Sequence, residues 1–139
     1  MPIPIQHRVF VVDDEDVIAS TLAMILRFQG GFHATSFNSP TEALDAARCD
    51  PPDLLISDVV MPSFSGIELA IKIRALSPQC KVLLFSGQAA TADMLESARL
   101  NGYDFELLLK PVHPGDLLAR IRNLTESPVS LLPSQELEA

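Results

Sequence analysis

The chain has 139 residues, 47% hydrophobic and 20% charged, which is the length of one domain and enough apolar material for a full core. Ten basic residues against 18 acidic ones leave a net charge of -8, which argues against a basic nucleic-acid surface. Cys49 and Cys80 lie in no metal or redox spacing, and no apolar run reaches transmembrane length.

The N-terminus, Met1-Pro2-Ile3-Pro4-Ile5, lacks the basic region and long apolar core of a signal peptide. Two unpatterned thiols fit a reducing compartment, so a cytoplasmic location is expected. His7, His33 and His113 are scattered and receive no metal role.

Residues 7–12 read as a buried first strand that ends abruptly in Asp13-Asp14-Glu15-Asp16. Val17, Ile18, Thr21, Leu22, Ile25 and Leu26 then recur at helical spacing until Gly30-Gly31. Residues 32–37 alternate and read as a shorter, less buried strand. Ser39-Pro40-Thr41-Glu42 is a capping box with proline in the first turn, and its helix stops at Pro51-Pro52.

Leu54-Leu55-Ile56-Ser57-Asp58 is an apolar run that ends on a lone carboxylate. A buried strand does not usually end on an acid unless that acid has partners. A second capping box, Ser65-Gly66-Ile67-Glu68, opens a helix closed by Pro78. Residues 81–85 form a fourth strand ending in Ser86-Gly87. Thr91 to Leu100 is a weaker helix, and residues 105–109 are a fifth strand ending in Lys110-Pro111. Pro114-Gly115-Asp116 starts the last helix, through Leu124. From about residue 125 the pattern fades into a loose acidic tail, so one domain over 6–124 and a tail over 125–139 are expected.

Strand and helix thus alternate five times. Near-continuous apolar strands between amphipathic helices predict an α/β fold, a parallel sheet covered on both faces. Right-handed crossovers make it a doubly wound, flavodoxin-like sheet with its site beyond the C-terminal strand ends.

Asp13 and Asp14 end the first strand, Asp58 the third, Ser86 the fourth and Lys110 the fifth. All C-terminal ends of a parallel sheet share one edge, so these side chains should converge. Three carboxylates together need a cation, and hard oxygen ligands with room for water suit Mg²⁺. A lysine and a hydroxyl aimed at the same centre are what a phosphoryl group requires. Asp58 would then be the nucleophile of an aspartyl-phosphate.

With Val11-Val12-Asp13-Asp14-Glu15, Asp58-Val59-Val60-Met61-Pro62 followed by Gly66, Ser86-Gly87 and Lys110-Pro111, the sequence resembles a response-regulator receiver domain of bacterial two-component signalling. The resemblance covers roughly residues 6 to 124 and implies the strand order 2-1-3-4-5. It implies that Asp13 and Asp14 hold Mg²⁺, and that Asp58 accepts a phosphoryl group and contacts the metal. The donor would be a sensor histidine kinase or a histidine phosphotransfer protein. The backbone carbonyl of Val60 would complete the protein ligands. Ser86 would be the switch hydroxyl, and Lys110 would pair with a phosphoryl oxygen ahead of a cis bond to Pro111. Output would pass by protein contact through the side of the fourth and fifth strands to a downstream protein or a phosphorylation-dependent dimer. No enzymatic activity beyond self-phosphorylation and dephosphorylation is implied.

Two features depart from the family. Receivers often carry an aromatic residue three positions before the lysine, and here that position is Leu107. Phe105 or Tyr103 would fill the role only through a bulge; the simpler expectation is no aromatic switch. Most receivers also precede an output domain, so the chain is either a stand-alone receiver or a fragment of a larger regulator. A phosphorylation-independent binding module on the same fold is the main alternative. A flavodoxin-like cofactor binder needs a phosphate-cradling loop after the first strand, where this chain has four acids.

Overall fold

A computed structural model describes residues 7–87, 91–110 and 113–126. The elements alternate as β1 (Arg8–Val12), α1 (Asp16–Gly30), β2 (His33–Phe37), α2 (Pro40–Cys49) and β3 (Leu54–Asp58). They continue as α3 (Gly66–Leu76), β4 (Lys81–Ser86), α4 (Thr91–Leu100), β5 (Glu106–Leu109) and α5 (Pro114–Glu126). The five strands pair in parallel in the order β2-β1-β3-β4-β5, as expected.

Most boundaries fall within a residue or two of the sequence reading. Gly30 is not the stop but the last helical residue. Gly31 takes the left-handed conformation (φ 70°) and its N–H bonds the Leu26 carbonyl. Both serine caps form: Ser39 accepts from the Glu42 N–H and Ser65 from the Glu68 N–H. β5 begins at Glu106, so Phe105 precedes the strand. The Lys110-Pro111 bond and the tail beyond residue 126 lie outside the described residues.

Side-chain alternation splits the interior into two layers. Val9, Val11, Leu54, Ile56, Leu83 and Phe85 pack under α1 and α5. Phe10, Val12, Leu55, Val82 and Leu84 face the other way, under α2, α3 and Ala98 of α4. Burial of both faces explains why β3 is apolar throughout except at Ser57 and Asp58. Every crossover returns over a face, which leaves the C-terminal strand ends on one open edge.

Candidate functional site at the sheet edge

The edge is assembled from the ends of four strands. Just past β1, the Asp13 N–H bonds the Phe37 carbonyl at 3.1 Å, so the backbone stays tied to β2. The Asp13 side chain is fully buried (0% exposed). Its Oδ1 accepts from the Glu15 N–H at 2.9 Å, which fixes the carboxylate at the start of α1. Asp14 beside it is exposed. β3 ends in Asp58, only 9% exposed, and the Val59 N–H carries the ladder on to the Phe85 carbonyl at 3.0 Å. Lys110 follows β5, and its backbone N–H bonds the Ser86 carbonyl at 2.9 Å.

The three acids and the lysine meet. Lys110 Nζ lies 3.1 Å from Asp13 Oδ2 and 3.3 Å from Asp58 Oδ2. Oxygens of Asp13, Asp14 and Asp58 all fall within 4.8 Å of one another. Ser86 closes β4 on the same edge and is buried. Val60 sits two residues past Asp58 in the loop to α3, with its side chain 42% exposed.

Charge at the site is strained in a consistent direction. Burial pushes the Asp58 carboxyl above its ordinary value, and the neighbouring Asp13 charge adds to this; Lys110 partly offsets both. Burial alone would pull Lys110 down. The hydrogen bond and charge of Asp13, together with Asp58, outweigh it and hold the ammonium above its ordinary value. Three acids against one lysine leave an excess of negative charge that a cation would neutralise.

The donor set fits Mg²⁺. It offers hard carboxylate oxygens only, and oxygens around an octahedral Mg²⁺ stand roughly 3–4 Å apart, close to the spacing present. Two of the acids are buried and one is exposed, so solvent can reach the remaining positions.

The switch positions are less clustered. Leu107 is half-buried in β5, opposite Leu84, and packs on the α2–α3–α4 layer. Phe105 is buried before the strand, toward the edge opposite the site. Its ring stacks with Tyr103 (5.8 Å between centroids), and the Arg74 guanidinium lies 5.2 Å above it.

Three residues that the sequence reading gave no chemical role, Gly66 having been read as part of a motif and a helix start, shape the segment from β3 to α3. Gly66 is required by contact: a Cβ there would lie 2.0 Å from the Asp58 carbonyl oxygen. Ser57 is fully buried, and its hydroxyl donates to that same carbonyl at 2.8 Å. Ser63 has φ 76°, and the Phe64 N–H bonds the Pro62 carbonyl at 3.0 Å, a γ-turn centred on a non-glycine residue. The one hint of Ser57 in the sequence was a polar residue inside an apolar strand.

Comparison with known proteins agrees with this geometry. Residues 9–122 match the family model of the response regulator receiver domain. The probable transcriptional regulatory protein TcrX of Mycobacterium tuberculosis is 34% identical over 116 residues, covering 84% of this chain and 48% of TcrX. The transcriptional regulatory protein CreB of Escherichia coli is 35% identical, covering 86% and 51%. The chain thus spans about half the length of these two relatives. The response regulator receiver protein CpdR of Brucella abortus is 31% identical, covering 84% of this chain and 95% of CpdR. In structure, a CheY-like receiver domain protein from Methanospirillum hungatei superposes with a TM-score of 0.77 at 29% identity, covering 88% and 96%. No helix among the described residues is long and apolar enough to cross a membrane. Family match, strand order and the acid–lysine edge agree: the chain belongs to the response regulator receiver domain family of two-component systems.

Proposed function

We propose that the chain is a phosphorylation-controlled switch whose acceptor is Asp58. The observation that carries this reading is Lys110 Nζ held between Asp13 and Asp58, 3.1 and 3.3 Å away, beside a third carboxylate. A carboxylate oxygen of Asp58 attacks the phosphorus of a phosphohistidine. The new O–P bond replaces the N–P bond, and the imidazole leaves with a proton from solvent. Asp13, Asp14 and Asp58, with the Val60 carbonyl, would hold Mg²⁺, which would supply positive charge beside the phosphoryl oxygens. Lys110 supplies the remaining positive charge, and Ser86 donates a hydrogen bond to the phosphoryl group.

The donor is a sensor histidine kinase or a histidine phosphotransfer protein. It must cover the surface beside Asp58, where α1 starts. The outer side of α1 carries Val17, Met24 and Phe28 exposed, an apolar stripe that suits such a partner. Output passes through α4, β5 and α5, where Leu100 and Leu109 are exposed and Leu107 is half-buried. Its receiver is a downstream protein, a second copy or a further domain of the same regulator; the net charge of -8 speaks against direct nucleic-acid contact. The free thiols of Cys49 and Cys80 suit the cytoplasm.

Beryllofluoride with Mg²⁺, a mimic of the phosphoryl group, tests the switch by amide NMR. Shifts spreading from Asp58 to Ser86 and Leu107 support it. A response confined to the acid loop contradicts it.

A further inference from the structure

Ser57 has no part in the chemistry proposed above, yet it is the polar side chain closest to the acceptor in sequence. It is fully buried, on the side of β3 that faces α3. A buried hydroxyl needs a partner, and an apolar residue of similar size would fill the strand without that requirement. The partner is not a neighbouring strand. Ser57 Oγ donates at 2.8 Å to the backbone carbonyl of Asp58 itself.

The same carbonyl meets the first residue of α3. A Cβ on Gly66 would come 2.0 Å from the Asp58 oxygen and 2.8 Å from Ser57 Oγ, so only a hydrogen fits between them. The N–H end of this peptide is tied too, since the Val59 N–H bonds the Phe85 carbonyl at 3.0 Å, and the next peptide is held by its Val59 carbonyl, which accepts from the Gly66 N–H at 2.8 Å. The Asp58–Val59 peptide is thus clamped by β4, by α3 and by the Ser57 hydroxyl. The Asp58 carboxylate stands on one side of it, and Val60 on the other.

We propose that Ser57 is a positioning residue for the acceptor site: its hydroxyl fixes the Asp58–Val59 peptide and so sets where the Asp58 carboxylate and the Val60 carbonyl stand. The proposal rests on the phosphoacceptor reading of Asp58. Groups that orient a ligand from behind govern affinity although they never touch the ion.

The test uses the full chain with Ser57→Ala and Ser57→Thr. Mg²⁺ is titrated by following the Val59, Val60 and Gly66 amides by NMR, and phosphoryl uptake from acetyl phosphate is timed separately. Ser57→Ala should weaken Mg²⁺ binding about tenfold and slow uptake at saturating acetyl phosphate, with its melting temperature little changed. Ser57→Thr, which keeps the hydroxyl, should return most of the affinity. If Ser57→Ala does not fold, Ser57→Cys, with only a weak donor, is read in its place. Wild-type affinity and rate in the variant without the hydroxyl overturn the proposal while leaving Asp58 as acceptor. An unaltered chain that takes up no phosphoryl group ends the acceptor reading and the proposal with it.

Discussion

Lys110 sits closer to Asp13 than to the proposed acceptor: its ammonium lies 3.1 Å from the Asp13 carboxylate and 3.3 Å from that of Asp58. Asp13 has no exposed surface, so this lysine is the cation that makes its burial tolerable. The lysine therefore has two tasks, one structural and one for the incoming phosphoryl group.

Lys110→Met removes the cation and leaves two buried carboxylates facing each other. Stability in Mg²⁺-free buffer should fall by about 1–3 kcal/mol in urea titration, and Mg²⁺ should restore part of it. Because the pairing raises the folded-state pKa of Lys110 above its ordinary 10.5, its stabilisation is complete at neutral pH. It is lost only as pH rises through that raised value. The variant and the parent should accordingly converge in strong alkali.

Asp58→Asn should raise the melting temperature in Mg²⁺-free buffer at pH 7. Burial and Asp13 hold the Asp58 carboxyl above its ordinary value of 3.8, so its charge is easier to form in the unfolded chain. Ionised Asp58 thus destabilises the fold, and that cost fades as pH falls through the raised pKa. The advantage of the variant should shrink with acid and vanish below the ordinary value. A lower melting temperature for Asp58→Asn at pH 7 would mean that the Lys110 pair outweighs burial.

Ser63 occupies a positive φ that only glycine adopts without strain, at a cost on the order of 1–3 kcal/mol. Glycine loses roughly 0.5–1 kcal/mol more backbone entropy on folding. Ser63→Gly should therefore stabilise by about 1 kcal/mol and Ser63→Val destabilise by about 1–2 kcal/mol in urea titration, the β-branched side chain being worst suited to this region.

Gly66→Ala should be the most damaging single-methyl change near the site. Its Cβ would occupy space 2.0 Å from the Asp58 carbonyl oxygen, which is backbone and cannot swing aside. A loss of about 3 kcal/mol or more is expected, with α3 displaced and Mg²⁺ binding lost with it. Circular dichroism melts and a Mg²⁺ titration check both.

The fold was legible because the apolar runs and helix caps agree: Ser39 and Ser65 cap as their sequences indicate, β3 and β4 end on Asp58 and Ser86, and Asp13 and Lys110 directly follow β1 and β5. Asp13, Asp14, Asp58 and Lys110 were legible as a site because parallel strands put their ends on one edge. The clamp was not. Ser57 reads as a small residue in a strand, and its role appears only when α3 is seen to start against the Asp58 carbonyl. Gly66 likewise reads as part of a helix start, although contact rather than capping demands it. Leu107 faces the α2–α3–α4 layer, as strand alternation requires, while Phe105 is held by Arg74 and Tyr103 ahead of β5. That arrangement turns on where β5 begins, which periodicity fixes only to within a residue.

The central claim is that Asp58 carries the phosphoryl group. Incubating the full chain with acetyl phosphate and Mg²⁺, trapping the acyl phosphate with borohydride and mapping the modified residue by mass spectrometry tests it directly. The account predicts one modified residue, Asp58, with no label when Mg²⁺ is chelated or in Asp58→Ala. Label on another carboxylate, or undiminished label in Asp58→Ala, would contradict it.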